Sequence, residues 1–239
     1  MSFTRALSIE LSKAFIGLDI GDIEIVDYPI QPNKLAKKYD LIAFQHGSLP
    51  KLLNISLDNL PTKPYIFTKK NCINRWSNLL GKMDIFRVGL CWSGSNNRID
   101  EERFFPFNLL IPLLDLDIEF HSLQIEYRDL DLFILNNSKI INHAPNLHNL
   151  NETASLISQM DLIISVDTSV AHLAGAMGHP LWVMLPNYKN YYWNGEKPHW
   201  YPHAKTFRQA REGDWSDVVE QVKSALAKMV VISGKKATI

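Results

Sequence analysis

The sequence predicts an α/β protein built on a doubly wound parallel sheet. Three observations carry this. From about residue 86 onward, short apolar strands alternate with amphipathic segments of helix length. One of those strands, Asp161-Leu-Ile-Ile-Ser-Val166, runs straight into Asp167-Thr168-Ser169 and then a helix rich in small residues. No Gly-x-Gly-x-x-Gly follows a strand and no Walker loop is present, which counts against dinucleotide and P-loop enzymes of the same architecture.

The elements follow in chain order. Phe86 to Trp92 reads as a buried strand, and a polar loop from Ser93 to Glu102 follows it. Pro106 to Leu114 reads as a short helix and Ile118 to Leu123 as the next strand. Tyr127 to Leu135 is helical, Lys139 to Asn142 a short strand, and Asn151 to Met160 a helix. Asp161 to Val166 is the strong central strand, Val170 to Met177 a helix, and Leu181 to Leu185 another strand. Thr206 to Arg208 is the last strand, and Trp215 to Met229 a final amphipathic helix with Val218, Val219, Val222 and Leu226 facing in.

Residues 1–85 are less regular. Ile23 to Tyr28 and Asp40 to Phe44 read as strands, and Leu49 to Leu53 and Asn74 to Leu80 as helical pieces. In Met1 to Ile16, Phe3, Leu7, Leu11, Ala14 and Phe15 recur at helical spacing, so the segment reads as an amphipathic helix. Its Arg5, Glu10 and Lys13 interrupt any signal peptide or membrane span, and a cytoplasmic protein is the expectation. The chain thus divides into an N-terminal part, 1–85, a main α/β domain, 86–232, and a tail, 233–239.

Composition excludes several functions. Lys plus Arg and Asp plus Glu number 25 each in 239 residues, so net charge draws the chain to neither nucleic acid nor acidic lipid. An anion site must be local. Hydrophobic residues at 46% and charged residues at 21% suit a globular domain. Cys72 and Cys91 form no Cys-x-x-Cys pair, so neither a disulfide framework nor a zinc site is expected.

In open α/β sheets ligands sit outside the carboxyl ends of the strands, which points to the loops after Trp92, Leu123 and Val166. Asp167, Thr168 and Ser169 are good N-cap residues, and the first turn of the helix they open has free N–H groups at its positive end. That is an anion site in waiting. Thr168 and Ser169 add hydroxyls, and His172, four residues after Thr168, lies on the same face and can reach the anion from the side. The same pattern also suits an ordinary capped helix with a satisfied histidine.

The segment Ser165-Val-Asp-Thr-Ser-Val-Ala-His-Leu-Ala-Gly-Ala176 resembles the Asp-Thr-Gly/Ala-x-x-His-x-Ala signature of heptosyltransferase-type enzymes. It is closer still to the glycosyltransferase domain behind tetratricopeptide repeats in bacterial proteins. The resemblance continues through Val88-Gly-Leu-Cys-Trp-Ser-Gly94, Phe120-His-Ser-Leu-Gln124, Trp200-Tyr-Pro202, Arg208-Gln209 and Gly213-Asp-Trp215, covering about residues 40 to 229. It implies a GT-B fold whose C-terminal, Rossmann-like domain binds a nucleotide-diphosphate sugar. It also implies transfer without an obligatory metal, with no cofactor beyond the sugar donor itself.

The resemblance implies a donor site made of Ser93, Gly94, Ser95, Arg98, Arg103, Gln124, Asp167, Thr168, Ser169 and His172. Gly94 permits close backbone approach, and an arginine fork at Arg103 or Arg98 matches two phosphate oxygens. A plain surface loop and solvated charges are the other readings of these residues. Tyr191-Tyr192-Trp193 and Trp200-Tyr201 suit stacking on a base or sugar, and equally suit pinning a loop or making a partner interface. Asp115-Leu-Asp117 and Asp129-Leu-Asp131 are chance matches to a metal-binding pattern.

The first part departs from the family's pattern in length: only about 85 residues precede the Val88 strand, where a full acceptor-binding domain would need a typical domain's length. The N-terminal part is therefore abbreviated. Asp22 and His46 are candidates for the base that deprotonates an acceptor hydroxyl. Two functions follow: a glycosyltransferase acting on an unknown glycan or protein acceptor, or a catalytically degenerate module that binds nucleotide sugars or proteins. A homo-oligomer or a partner chain could complete the N-terminal part.

Overall fold

In this computed structural model, parallel pairing joins every described strand. The structure describes residues 3–7, 23–27, 42–43, 56, 60, 63–94, 105–188, 191–195 and 197–235. Near the N-terminus, β1 (Phe3–Leu7), β2 (Ile23–Asp27) and β3 (Ile42–Ala43) form a sheet of order β2-β1-β3. Phe3 pairs with Ile23, and Thr4 pairs with both Glu24 and Ile42. The helix expected over Met1 to Ile16 is corrected here for Phe3–Leu7. An i, i+4 pair such as Phe3 and Leu7 is also an even spacing, so a short apolar run fits strand as well as helix. Two neighbouring strands that satisfy its backbone groups decide for strand.

After α1 (Lys70–Leu80) comes β4 (Arg87–Cys91), then a 3-10 helix over Phe107–Asp115. β5 (Glu119–Ser122), α2 (Asp129–Asn136), β6 (Ile141–Asn142) and α3 (Leu150–Ile157) follow. The chain continues through β7 (Leu162–Val166), α4 (Ser169–Ala176), β8 (Leu181–Leu185), β9 (Lys205–Arg208) and α5 (Ser216–Ser233). The six strands order as β6-β5-β4-β7-β8-β9. Numbered within this sheet, that is 3-2-1-4-5-6, the doubly wound order whose direction of winding reverses between its first and fourth strands. The reversal falls between β4 and β7, where Val88 pairs with Leu162 and Cys91 with Ser165.

Alternation along the buried strands sends side chains to two cores. Val88, Leu90, Trp92, Leu162, Ile164 and Met184 face one layer with the Phe107–Asp115 helix and α5. There the Trp92 indole stacks on Phe107 at 4.1 Å and donates to Asp131 Oδ2 at 3.1 Å. Cys91, Ile163, Val183 and Leu185 face the other layer with α3 and α4. Each fully buried leucine, isoleucine or valine contributes about 1.5–3 kcal/mol.

α1 docks on this second layer. Trp76 is fully buried, and its indole N–H donates to Glu152 Oε2 on α3 at 2.9 Å. Arg75 pairs with the same carboxylate. The Tyr65 N–H donates to the Ala176 carbonyl at 2.9 Å. At the other end of the chain, Lys235 Nζ meets Asp161 Oδ1 at 2.6 Å, tying the residues after α5 to the start of β7. Among the described residues, no helix is long and apolar enough to cross a membrane.

Candidate functional site

The winding reversal opens a crevice at the carboxyl ends of β4, β5 and β7. A cavity of ≈ 390 Å³ occupies it, lined by Ser93 and Gly94 after β4, by Gln124 and Glu126 after β5, and by Asp167, Thr168 and Ser169 after β7. The three loops singled out from the sequence therefore converge. A larger groove of ≈ 720 Å³ lies elsewhere, between β9 and α5 around Trp182 and Phe207, away from those loops.

Gln124 braces the crevice. Its side-chain oxygen accepts from the backbone N–H groups of Trp92, at 3.2 Å, and Ser93, at 3.0 Å. Its amide nitrogen donates to Ser93 Oγ and to the Glu126 carbonyl, both at 2.8 Å. Both of its donors are thereby engaged with protein. Gln124 sets the position of the Ser93-Gly94 loop rather than offering a free donor of its own.

The N-cap residue leaves the start of α4 without a side-chain cap. Thr168 is the N-cap residue with extended backbone, its side chain makes no capping bond, and no acidic residue lies in the first turn. The first N–H groups of the helix thus have no acceptor along it. The Thr168 hydroxyl, expected to donate to an anion, turns inward instead. It meets Ser165 Oγ at 2.9 Å and Cys91 Sγ at 3.7 Å. Ser165 gives its own proton to the Val166 carbonyl, so the Thr168 proton goes to one of those two inner partners. Ser169 is exposed at the mouth. Burial raises the Cys91 thiol to about 11, which keeps it protonated and unreactive.

Asp167 and His172 form a pair. His172 Nε2 lies 3.2 Å from Asp167 Oδ1, and His172 Nδ1 lies 3.2 Å from the Tyr201 hydroxyl. The Trp193 indole N–H donates to the same Asp167 oxygen at 2.8 Å. Both nitrogens of His172 therefore have protein partners. The aromatic loop after β8 is pinned accordingly: Trp193 is fully buried, Tyr201 nearly so, and Arg208 donates to the Pro186, Tyr188 and Trp193 carbonyls. Of the readings of this cluster, loop pinning fits Trp193 and Tyr201, while Tyr192 and Trp200 are partly exposed.

Asp22, His46, Ser95, Arg98 and Arg103 lie outside the described residues. The sequence reading did not select Glu126, Leu123, Ile125 or Cys91, which also line the cavity. The strand-edge rule could have found the first three, since they adjoin Gln124 at the end of β5. Among the described residues, no cluster of three or more His, Cys, Asp or Glu side chains could hold a metal ion.

Residues 134–185, which run from α2 through β8, match the family described as Glycosyltransferase family 9 (heptosyltransferase). Among solved structures, the fold is similar to the crystal structure of the glycosyl transferase family 9 protein from Veillonella parvula DSM 2008. The TM-score is 0.62 at 11% identity, over 96% of this chain and 88% of that one. It also matches the structure of E. coli ADP-heptose lps heptosyltransferase II, with a TM-score of 0.48 and 14% identity over 74% of this chain. The match spans 57% of the length of that enzyme. No curated protein matches. The chain is thus similar to the heptosyltransferase-type glycosyltransferases of family 9 in sequence from residue 134 to 185, and to a family 9 protein in fold over most of its length.

Proposed function

We propose that this protein binds a nucleotide-diphosphate sugar in the β4–β7 crevice and transfers the sugar to an acceptor hydroxyl. One observation carries the reading: the uncapped start of α4 and the Ser93-Gly94 loop border the same cavity at the point where the winding reverses. Helix-start N–H groups favour a diphosphate without help from a metal. Glu126, on the cavity wall, suits the hydroxyls of a ribose or sugar as an acceptor.

In this reading the acceptor oxygen attacks the anomeric carbon as the bond from that carbon to the diphosphate breaks. The bonding electrons leave with the nucleoside diphosphate, and the α4 start stabilises the charge that develops there. The acceptor proton passes to a base, for which Asp22 and His46 remain the candidates in residues 1–85. Arg103 and Arg98 are further candidates for the phosphates.

The test is calorimetric titration with ADP, UDP, GDP and CDP and their sugars, with and without magnesium. The expected result is metal-independent binding of one nucleotide. Absence of binding across the whole panel would refute the donor reading and put a catalytically degenerate interaction module in its place.

A further inference from the structure

β9 ends the six-stranded sheet, and among the described residues it pairs with β8 alone. The Gln209 N–H donates to the Leu185 carbonyl. By the alternation of a parallel ladder, Lys205 and Phe207 also turn their main-chain groups toward β8. Thr206 and Arg208 therefore turn their N–H and carbonyl groups outward. An edge of this kind is a template for one more strand.

The groove of ≈ 720 Å³ lies between this edge and α5, and Trp182, Phe207, Met229 and Ile232 are among its lining. A strand laid on β9 sits about 4.8 Å away and sends every second side chain toward the α5 side of the sheet. Phe207 packs on that side, in the core layer that α5 covers. The charges select the occupant. Lys205 and Lys228 line the groove against one carboxylate, Glu220. The Lys205 ammonium lies over the rings of Phe207 and Trp182, at 4.6 and 5.2 Å. Among the described residues, neither lysine forms an ion pair. β9 itself reads Lys205-Thr-Phe-Arg208, with two cations and no carboxylate. A second copy's β9 would bring like charges together, which disfavours self-pairing. A strand carrying carboxylates has the opposite sign.

We propose that β9 and its groove take an extended acidic peptide, apolar at alternate positions, as a seventh strand of the sheet. The outward groups of Thr206 and Arg208 bond its backbone, the groove takes its apolar side chains, and Lys205 and Lys228 face its carboxylates. The proposal is independent of the nucleotide reading.

The probe is a labelled, end-capped peptide of alternating glutamate and valine, with a lysine–valine peptide as control. Fluorescence anisotropy on the full chain should show saturable binding of the acidic peptide, about tenfold or more tighter than the basic one, and weakening with salt. Amide exchange at Thr206 and Arg208 should slow when it binds. Thr206→Pro removes one outward N–H and spares the β8 ladder, and it should weaken binding by about fivefold. Lys228→Glu, on the exposed side of α5, should weaken it by about threefold or more, and carries the test if Thr206→Pro fails to fold in a thermal melt. Equal affinity for the two peptides, or binding that leaves the Thr206 and Arg208 amides exchanging as before, would overturn the proposal. So would a concentration-dependent dimer in sedimentation that protects those same amides, since the edge would then serve a second copy.

Discussion

Gly175 and Tyr201 occupy one another's space: a Cβ on Gly175 would lie 2.6 Å from the Tyr201 ring. The missing side chain lets Tyr201 lie against α4 with its hydroxyl 3.2 Å from His172 Nδ1. Two effects oppose each other in Gly175→Ala. Helix propensity favours alanine by about 1 kcal/mol. The clash costs roughly 1–3 kcal/mol, because Tyr201 is buried and packed on Trp193 and has little room to swing away. The expected outcome is a net loss of stability in urea or thermal unfolding. A stabilised variant would show that the ring moves freely.

Gln124→Ala should harm binding more than folding. It leaves the Trp92 and Ser93 N–H groups without their acceptor, a cost of about 1–3 kcal/mol. It also releases the Ser93-Gly94 loop from its brace. Nucleotide titration should show weaker binding while the thermal transition stays cooperative. Affinity equal to wild type would remove Gln124 from the site's support.

Glu152 joins α1 to α3 through Trp76 and Arg75. Glu152→Ala leaves a buried indole N–H unpaired, at a cost on the order of 1–3 kcal/mol. Limited proteolysis should then cut near α1 faster than in wild type. Glu152→Gln, which still offers Trp76 an oxygen, should be milder. Equal cleavage rates for all three proteins would argue against this anchoring.

Acid should weaken the fold through a buried histidine pair. His121 Nδ1 lies 3.0 Å from His143 Nε2, and burial lowers His121 to about 3 and His143 to about 4. The neighbouring His143 and Arg87 charges act with burial in bringing His121 to that value. Because both values fall below the unfolded imidazole value of about 6.5, the unfolded chain takes up these protons first as pH drops. The stability contributed by the neutral pair is whole above that value and is lost as pH falls toward 4 and then 3. Urea midpoints measured between neutral pH and the onset of acid unfolding should decline accordingly. Replacing both histidines with leucine should flatten the decline.

Much of the main domain was legible in the chain itself. The strands from β4 to β9 and the helix start at Thr168-Ser169 are written in local signals: apolar runs, amphipathic spacing and N-cap residues. Those signals act within a few residues, so one sequence suffices to read them. The convergence of the Ser93, Gln124 and Thr168 loops was also foreseeable, because parallel strands all end at the same edge of a sheet.

What only the tertiary structure decided are the choices made between distant residues. Phe3–Leu7 is a strand because β2 and β3 offer it hydrogen bonds, a fact absent from its own periodicity. Gln124 reaches partners 31 and 32 positions away, and Trp193 reaches Asp167 across 26. Polar side chains such as Thr168, Gln124 and His172 can equally face a ligand or a protein group, and nothing in their spacing chooses between the two. Packing brings particular donors and acceptors to hydrogen-bonding distance, and because a buried polar group left unpaired is costly, that proximity settles which partner each one takes.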